Sequence, residues 1–286
     1  MEEVFFLIIL GAIWLFFASI CDIKTREIPN WLSFSLIIFA LGARFFYSLF
    51  SGDYSFEIFY QGVIGIGVFF ILGNLFYYGR VFAGGDAKLF IALGAVLGFN
   101  ISFFNNLRLW VVFVFLIFLI GAFYGFAWSI YLSYKHFNLF KKRFKKNFEK
   151  NKKVFYFFIA LGFLLFILGG LVNYLFFIYG FFVLVFPFIY IYAKSVDEGC
   201  MIKTVEVDKL TEGDWLYEPV KIGKGKKINP YWEGLSSKDI EKKKKHYKKV
   251  KIKEGIPFVP VFLISFGILV LGYFYNWFDS FLFVFF

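Results

Sequence analysis

Residues 4–20, VFFLIILGAIWLFFASI, form an apolar run of 17 residues without a charge, and Cys21-Asp22-Ile23-Lys24-Thr25-Arg26-Glu27-Ile28-Pro29-Asn30 follows at once. As a helix rising about 1.5 Å per residue, such a run covers most of a bilayer's hydrocarbon core. The return of charge at Asp22 marks where the chain leaves it. Acidic Glu2 and Glu3 stand where a cleavable signal peptide has a basic segment, and no small-residue cleavage site follows, so this run is expected to stay in the protein.

Working outward, the pattern repeats. Further apolar runs lie at Trp31 to Phe50, Phe56 to Phe76, Ala87 to Phe104, Leu109 to Leu132, Val154 to Val172, Tyr174 to Tyr192 and Pro257 to Trp277. The sixth and seventh are joined by a tight turn near Asn173, and the sequence alone leaves open a re-entrant hairpin there. The apolar tail after Trp277 is expected at the membrane interface. The chain is 60% hydrophobic and 26% aromatic, with mean hydropathy +0.71, well outside the range of soluble domains. The expected fold class is therefore all-α, a polytopic transmembrane bundle of about eight helices with a small cytoplasmic insert. It divides into a membrane core over 1–193, a basic soluble segment over 194–256 and a C-terminal transmembrane helix over 257–286.

The formal net charge of +11 does not point to nucleic acid, because the basic residues cluster between apolar runs. The stretch Ser133 to Lys153 holds 9 of them and Lys194 to Ile256 holds 16. With Lys24, Arg26, Arg80 and Lys88, 29 of the 31 Lys and Arg fall on one side of the eight-helix arrangement, leaving Arg44 and Arg108 opposite. By the inside-positive rule that side is cytoplasmic and the N-terminus is outside. Within 194–256, Val205 to Asp208 alternates like a strand, Thr211 to Trp215 reads as a turn, and Asp239 to Lys253 reads as helical. Lys242 to Lys245 would favour anionic lipid; a solvated topology determinant is the simpler reading.

Acidic residues are scarce in the membrane part, since a charge deep in the bilayer costs about 2.5–3.5 kcal/mol on insertion scales. Two stand at the cytoplasmic boundary on different helices: Asp22 ends the first, and Asp86 begins the fourth in Ala83-Gly84-Gly85-Asp86-Ala87-Lys88. Two carboxylates at one level can share a proton, one activating water while the other polarises a carbonyl. Asp86 also reads as a helix cap and Asp22 as an interfacial charge, and position alone does not decide between these readings. Asp53 and Asp214 follow glycine too, but open no inner-face helix and read as turn residues. The two cysteines, Cys21 and Cys200, form no CxxC, and His136 and His246 lie in lysine-rich stretches, so neither a metal nor another cofactor is expected. HExxH and GxSxG are absent.

Asp22 with Ile28-Pro29-Asn30, and Gly85-Asp86-Ala87-Lys88 opening a later helix, together resemble the GxGD-type prepilin peptidases, and among them the archaeal prepilin and preflagellin peptidases. Gly255-Ile256-Pro257-Phe258-Val259-Pro260 is also similar to archaeal members. The resemblance implies a membrane aspartyl endopeptidase that removes the leader of pilin-like or archaellin-like precursors at the cytoplasmic face, with Asp22 and Asp86 as catalytic residues. Gly84 and Gly85 would admit a substrate strand. Lys24 and Lys88 would anchor the helix ends or tune the pair, while Pro29 and Asn30 shape the turn into the second helix. One departure is Ala83, which stands where the motif has its first glycine. The tetracysteine module that bacterial relatives tie to N-methylation is missing, so methyltransferase activity is not expected. An ion- or proton-coupled transporter is the alternative, though transporters place polar sites near the midplane. A presenilin-like protease would add a Pro-Ala-Leu motif, and Pro187 is followed by Phe188.

Overall fold

The computed structural model describes residues 2–50, 56–222, 226–228, 234–244, 246–275 and 277. Asp53, Lys245 and the tail beyond Trp277 lie outside these. The described residues form nine α-helices: α1 Glu2–Thr25, α2 Asn30–Phe50, α3 Glu57–Tyr78, α4 Gly84–Val96, α5 Phe103–Lys135, α6 Phe137–Leu171, α7 Leu175–Gly199, α8 Ser237–Lys244 and α9 Val259–Phe274. Six of them, α1, α2, α3, α5, α6 and α7, are long and apolar enough to cross a membrane, and α9 is a shorter apolar helix of 16 residues. The chain is an all-α, multi-pass membrane protein in its helical part. It divides into two compact units, Met1–Gly125 with Ile256–Phe286, and Phe126–Gly255.

In the first unit the buried core is built around α4. Phe90 of α4, Phe69 of α3, Trp110 and Phe113 of α5 and Phe262 of α9 are all fully buried or nearly so. Their rings meet edge to face or offset, with Phe69 and Phe90 centroids 4.6 Å apart. Helices α3 and α4 cross at Gly65 and Gly94, where a Cβ on either residue would collide with the other's carbonyl. That is the close backbone approach that small residues permit between helices in lipid.

The fourth helix is shorter than its apolar run. The sequence predicts Ala87 to Phe104; the helix runs Gly84–Val96, and irregular backbone leads to α5 at Phe103. Arg44 is the cause. Arg44, which the charge count leaves opposite most other cations, is 0% exposed. Its guanidinium donates to the carbonyls of Ala95 at 2.9 Å, Val96 at 3.2 Å and Gly98 at 2.8 Å, closing the helix end, and to Ile58 O at 3.0 Å. Glu3 stands 3.4 Å away as its counter-charge. Trp110 Nε1 donates to Leu97 O at 2.9 Å, Asn106 Nδ2 to Asn100 O at 2.7 Å, and Gln61 Nε2 to Ile101 O at 2.7 Å. Non-helical backbone among apolar helices is tolerated because side chains answer its polar groups.

In the second unit, α6 and α7 form an antiparallel hairpin. Asn173 Oδ1 accepts the Leu175 N–H at 3.0 Å in the turn expected there. Gly162, Gly169 and Gly180 lie at the contact, each against a Leu or Phe of the facing helix. The basic stretch read as a loop, Ser133 to Lys153, is helical apart from the junction at His136. Residues 137–161 contain neither Gly nor Pro, so nothing stops the helix, and Asn147 is buried where it donates to Ser195 Oγ at 3.3 Å.

The small module after α7 carries β1 Ile202–Glu206, β2 Trp215–Leu216, β3 Val220–Ile222, β4 Lys226–Ile228 and β5 Lys249–Lys253. An antiparallel sheet has the order β1-β5-β2, and β3 pairs with β4. Val207, Leu210, Leu216, Leu235, Ile240, Val250 and Ile252 make its buried core. Strand β1 starts earlier than the alternation at Val205 to Asp208 implies and ends at Glu206, where Val207 opens a 3-10 turn. The turn at Thr211 is present: Asp214 Oδ2 accepts the Thr211 N–H at 2.9 Å, and Gly213 has φ 95°. The helix expected over Asp239 to Lys253 ends at Lys244. Lys249-Val250-Lys251-Ile252-Lys253 is a strand, with Val250 and Ile252 facing the module core.

Candidate functional site

Asp22 lies in the last turn of α1 and is 6% exposed. The helix ends just after it, where Arg26 adopts φ 61° and donates its N–H to Asp22 O at 3.0 Å. The carboxylate is answered from far along the chain: Oδ2 accepts the N–H of Val259, the first residue of α9, at 2.9 Å. The adjacent Phe258 N–H and Arg26 are close enough to act on the same carboxylate electrostatically.

Asp86 is the third residue of α4 and is 9% exposed. Its Oδ2 accepts the Ala83 N–H at 3.3 Å, a side chain reaching back to the start of its own helix. Ala83 has φ −71° and ψ 163°, extended backbone open to any residue, so alanine in the motif's glycine position introduces no strain. Asp22 and Asp86 lie in one compact unit and are close enough that their charges interact.

Two contacts join the loops that carry them. Lys88 Nζ donates to Asn30 Oδ1 at 2.8 Å. Gly85 sits over Ile28, whose side-chain atoms stand 3.4 Å from where a Cβ would be. Pro29 O accepts the Leu32 N–H at 3.0 Å and shapes the entry to α2, whose first residue is Asn30. Gly84 differs from Gly85. A Cβ there would meet Tyr77 alone, at 3.7 Å, and its φ is not positive, so neither packing nor backbone geometry requires glycine. Lys24 is exposed in the last turn of α1, away from these contacts.

Two features were not legible in sequence. One is the pair of amides at Phe258 and Val259. The other is Tyr124 of α5, which lies within electrostatic reach of Asp22 and Arg26. Gly255-Ile256-Pro257-Phe258-Val259-Pro260 marks a helix start, but nothing in it says which side chain those amides serve. Two shallow clefts, one lined by Phe104, Leu107, Arg108 and Val111 and the other by Ile13, Trp14, Phe17, Trp31 and Leu32, touch neither carboxylate. Among the described residues no three His, Cys, Asp or Glu side chains are grouped to hold a metal ion.

Residues 9–126, which include both aspartates and both joining contacts, match the type IV leader peptidase family. A preflagellin peptidase of Methanocaldococcus jannaschii is 40% identical over 89 residues, 31% of this chain and 37% of that protein. A preflagellin peptidase of Methanococcus maripaludis is 34% identical over 88 residues, again 31% of this chain and 37% of that protein. The chain thus spans little more than a third of the length of these curated relatives. No solved structure matches it.

Proposed function

We propose, from the match of residues 9–126 to the type IV leader peptidase family, that the chain is a membrane aspartyl endopeptidase removing the leader of preflagellin-like or prepilin-like precursors. The observation that carries this reading is the convergence of Asp22 and Asp86. Two buried carboxylates 64 residues apart in sequence are brought within electrostatic range at the ends of α1 and α4, with their loops tied by Lys88–Asn30 and Gly85–Ile28.

Like charges held close in a poorly solvated place do not both ionise, so the pair holds one proton between them. The ionised carboxylate takes a proton from a water molecule as its oxygen bonds to the scissile carbonyl carbon. The protonated carboxyl gives its proton to the carbonyl oxygen. Collapse of the tetrahedral intermediate breaks the C–N bond, the amine leaves with the proton taken from water, and the intermediate's hydroxyl returns a proton to the second carboxylate. Gly84, whose missing side chain no internal contact explains, leaves room for an extended substrate beside Asp86.

The segregation of basic residues supports an outside N-terminus and a site at the cytoplasmic face. In this reading 194–256 is a basic cytoplasmic segment between the helical core of 1–193 and the last helix of 257–286. Its partners are the precursor and membrane lipid, with no role for nucleic acid.

The test is cleavage of co-expressed candidate precursors, with the new N-terminus mapped by mass spectrometry. Asp22→Asn and Asp86→Asn keep the side-chain shape but cannot exchange the proton. Each should insert normally and lose cleavage, and the double variant should be no worse than either, since the two act as one unit. Near-normal turnover by either single variant defeats the proposal.

A further inference from the structure

The shorter of the hydrogen bonds to the two motif carboxylates comes from the far end of the chain. Asp22 Oδ2 accepts the Val259 N–H at 2.9 Å, and the adjacent Phe258 N–H is close enough to act on the same group electrostatically. Among the described residues, Asp86 is answered by one amide, that of Ala83, at 3.3 Å. Phe258 is the N-cap of α9 and Val259 its first residue, so both amides belong to the set that a helix start leaves without intrahelical partners. A helix start also carries a partial positive charge that favours an anion.

The local sequence concentrates these donors. Pro260 has no N–H, and the Val261 N–H is already given to Phe258 O at 2.9 Å. The free amides of the first turn therefore fall at Phe258 and Val259. The same turn is fixed to the segment leading into Asp86. Phe82, 4% exposed, packs against Phe258 and Phe262 with centroids 5.7 and 5.5 Å apart. Gly121 of α5 gives Phe258 its room, since a Cβ there would stand 3.1 Å from the ring. One turn of helix thus touches both motif segments, one through its amides and the other through its rings.

We propose that the first turn of α9 is a positioning element of the site: the amides of Phe258 and Val259 aim Asp22 and hold it as the ionised member of the pair, leaving Asp86 to carry the shared proton. This rests on the peptidase reading above. Asp22 is then the group that takes the proton from water, and Asp86 the group that protonates the carbonyl oxygen. Both amides face the carboxylate, Val259 through its hydrogen bond, so they govern the rate of the chemical step more than the binding of the precursor.

The test deletes one N–H at a time in the full-length protein. Replacing the Val259 amide by an ester through its α-hydroxy acid keeps the side chain and removes the donor. The matched control is the same replacement at Val261, which costs α9 a hydrogen bond of its own first turn and leaves Asp22 untouched. The Val259 ester is expected to lose kcat about tenfold or more, as for removal of a charge-assisted hydrogen bond, with KM within about twofold. The Val261 ester is expected to lose less than about threefold. Val259→Pro also deletes the N–H at a position where proline suits a helix start, and should reproduce the kcat loss with a somewhat lowered unfolding midpoint, because proline disfavours the αR backbone of Phe258 before it. Equal losses at Val259 and Val261 would mean that the turn matters only for helix integrity, and would overturn the proposal. Normal kcat in both Val259 variants, with Asp22→Asn inactive, would overturn it too while leaving the peptidase reading intact. Activity in Asp22→Asn would remove the reading itself.

Discussion

Arg44→Leu should be among the most damaging single substitutions in the helical core. The Arg44 side chain is fully buried and serves five acceptors: the carbonyls of Ile58, Ala95, Val96 and Gly98, and the Glu3 carboxylate. It lies in a slot made by glycine: a Cβ at Gly62 would come within 2.6 Å of its Cδ, and one at Gly98 within 3.2 Å of Nη2. Leucine fills much of the stem's volume and answers none of the acceptors. A buried carbonyl left unpaired costs about 1 kcal/mol at the low end, so four amount to roughly 4 kcal/mol. Stranding Glu3 without its counter-charge brings the total to about 5 kcal/mol or more. A loss of that size is a large part of a typical protein's stability, and lowers an unfolding midpoint by about 10 °C or more at this chain length. The assay is thermal unfolding in detergent, with Arg44→Lys and Glu3→Gln as companions. Lysine keeps the charge but has three donors and no fork, so it should recover part of the loss. Glu3→Gln should cost less than Arg44→Leu, because the glutamine amide oxygen can still accept from the guanidinium while its four carbonyl bonds remain, and in the Arg44→Leu background it should relieve part of the damage by removing a stranded charge. A midpoint within about 2 °C of the parent for Arg44→Leu would refute the reasoning, and strictly additive effects at the two positions would refute the pairing.

Reporter fusions after Phe50 and Asn100 should appear outside, and fusions after Tyr134 and Lys194 inside; an outside signal at Lys194 would overturn the orientation and the cytoplasmic site with it. Cleavage of a precursor should persist in a strong chelator, and a loss restored by zinc would sink the carboxylate-pair mechanism. Lys243 of α8 is fully buried, its Nζ has no hydrogen-bond partner among the described residues, and burial pushes it down to about 8 against the opposing pull of Asp239. The folded module therefore favours the neutral amine while the unfolded chain binds the proton, so stability rises with pH from about 8 toward the ordinary lysine range near 10.4. Lys243→Met should stabilise the module at pH 7 by about 2 kcal/mol and flatten that rise; an unchanged pH dependence in hydrogen exchange of β1 and β5 would count against it.

The apolar runs determined the class of the protein and most of the helices, because span length and hydrophobicity are local properties that the bilayer reads directly. They also set Asp22 at the end of α1 and Asp86 near the start of α4, since a charge next to a long apolar run marks a helix end. In sequence, the alternation Lys249 to Lys253 does not read as a strand, because its lysines merge with the helical run before it. The tertiary structure decided what local pattern cannot carry. Val259 N–H meets Asp22 across 237 residues, and Arg44 is the buried cap of α4. The end of α4 at Val96 is likewise imposed, by side chains of α2, α3 and α5 that satisfy the carbonyls beyond it. Hydrophobicity is summed residue by residue along the chain, whereas the partner of a buried polar group is fixed only when distant segments pack, and in this protein such a partner positions Asp22.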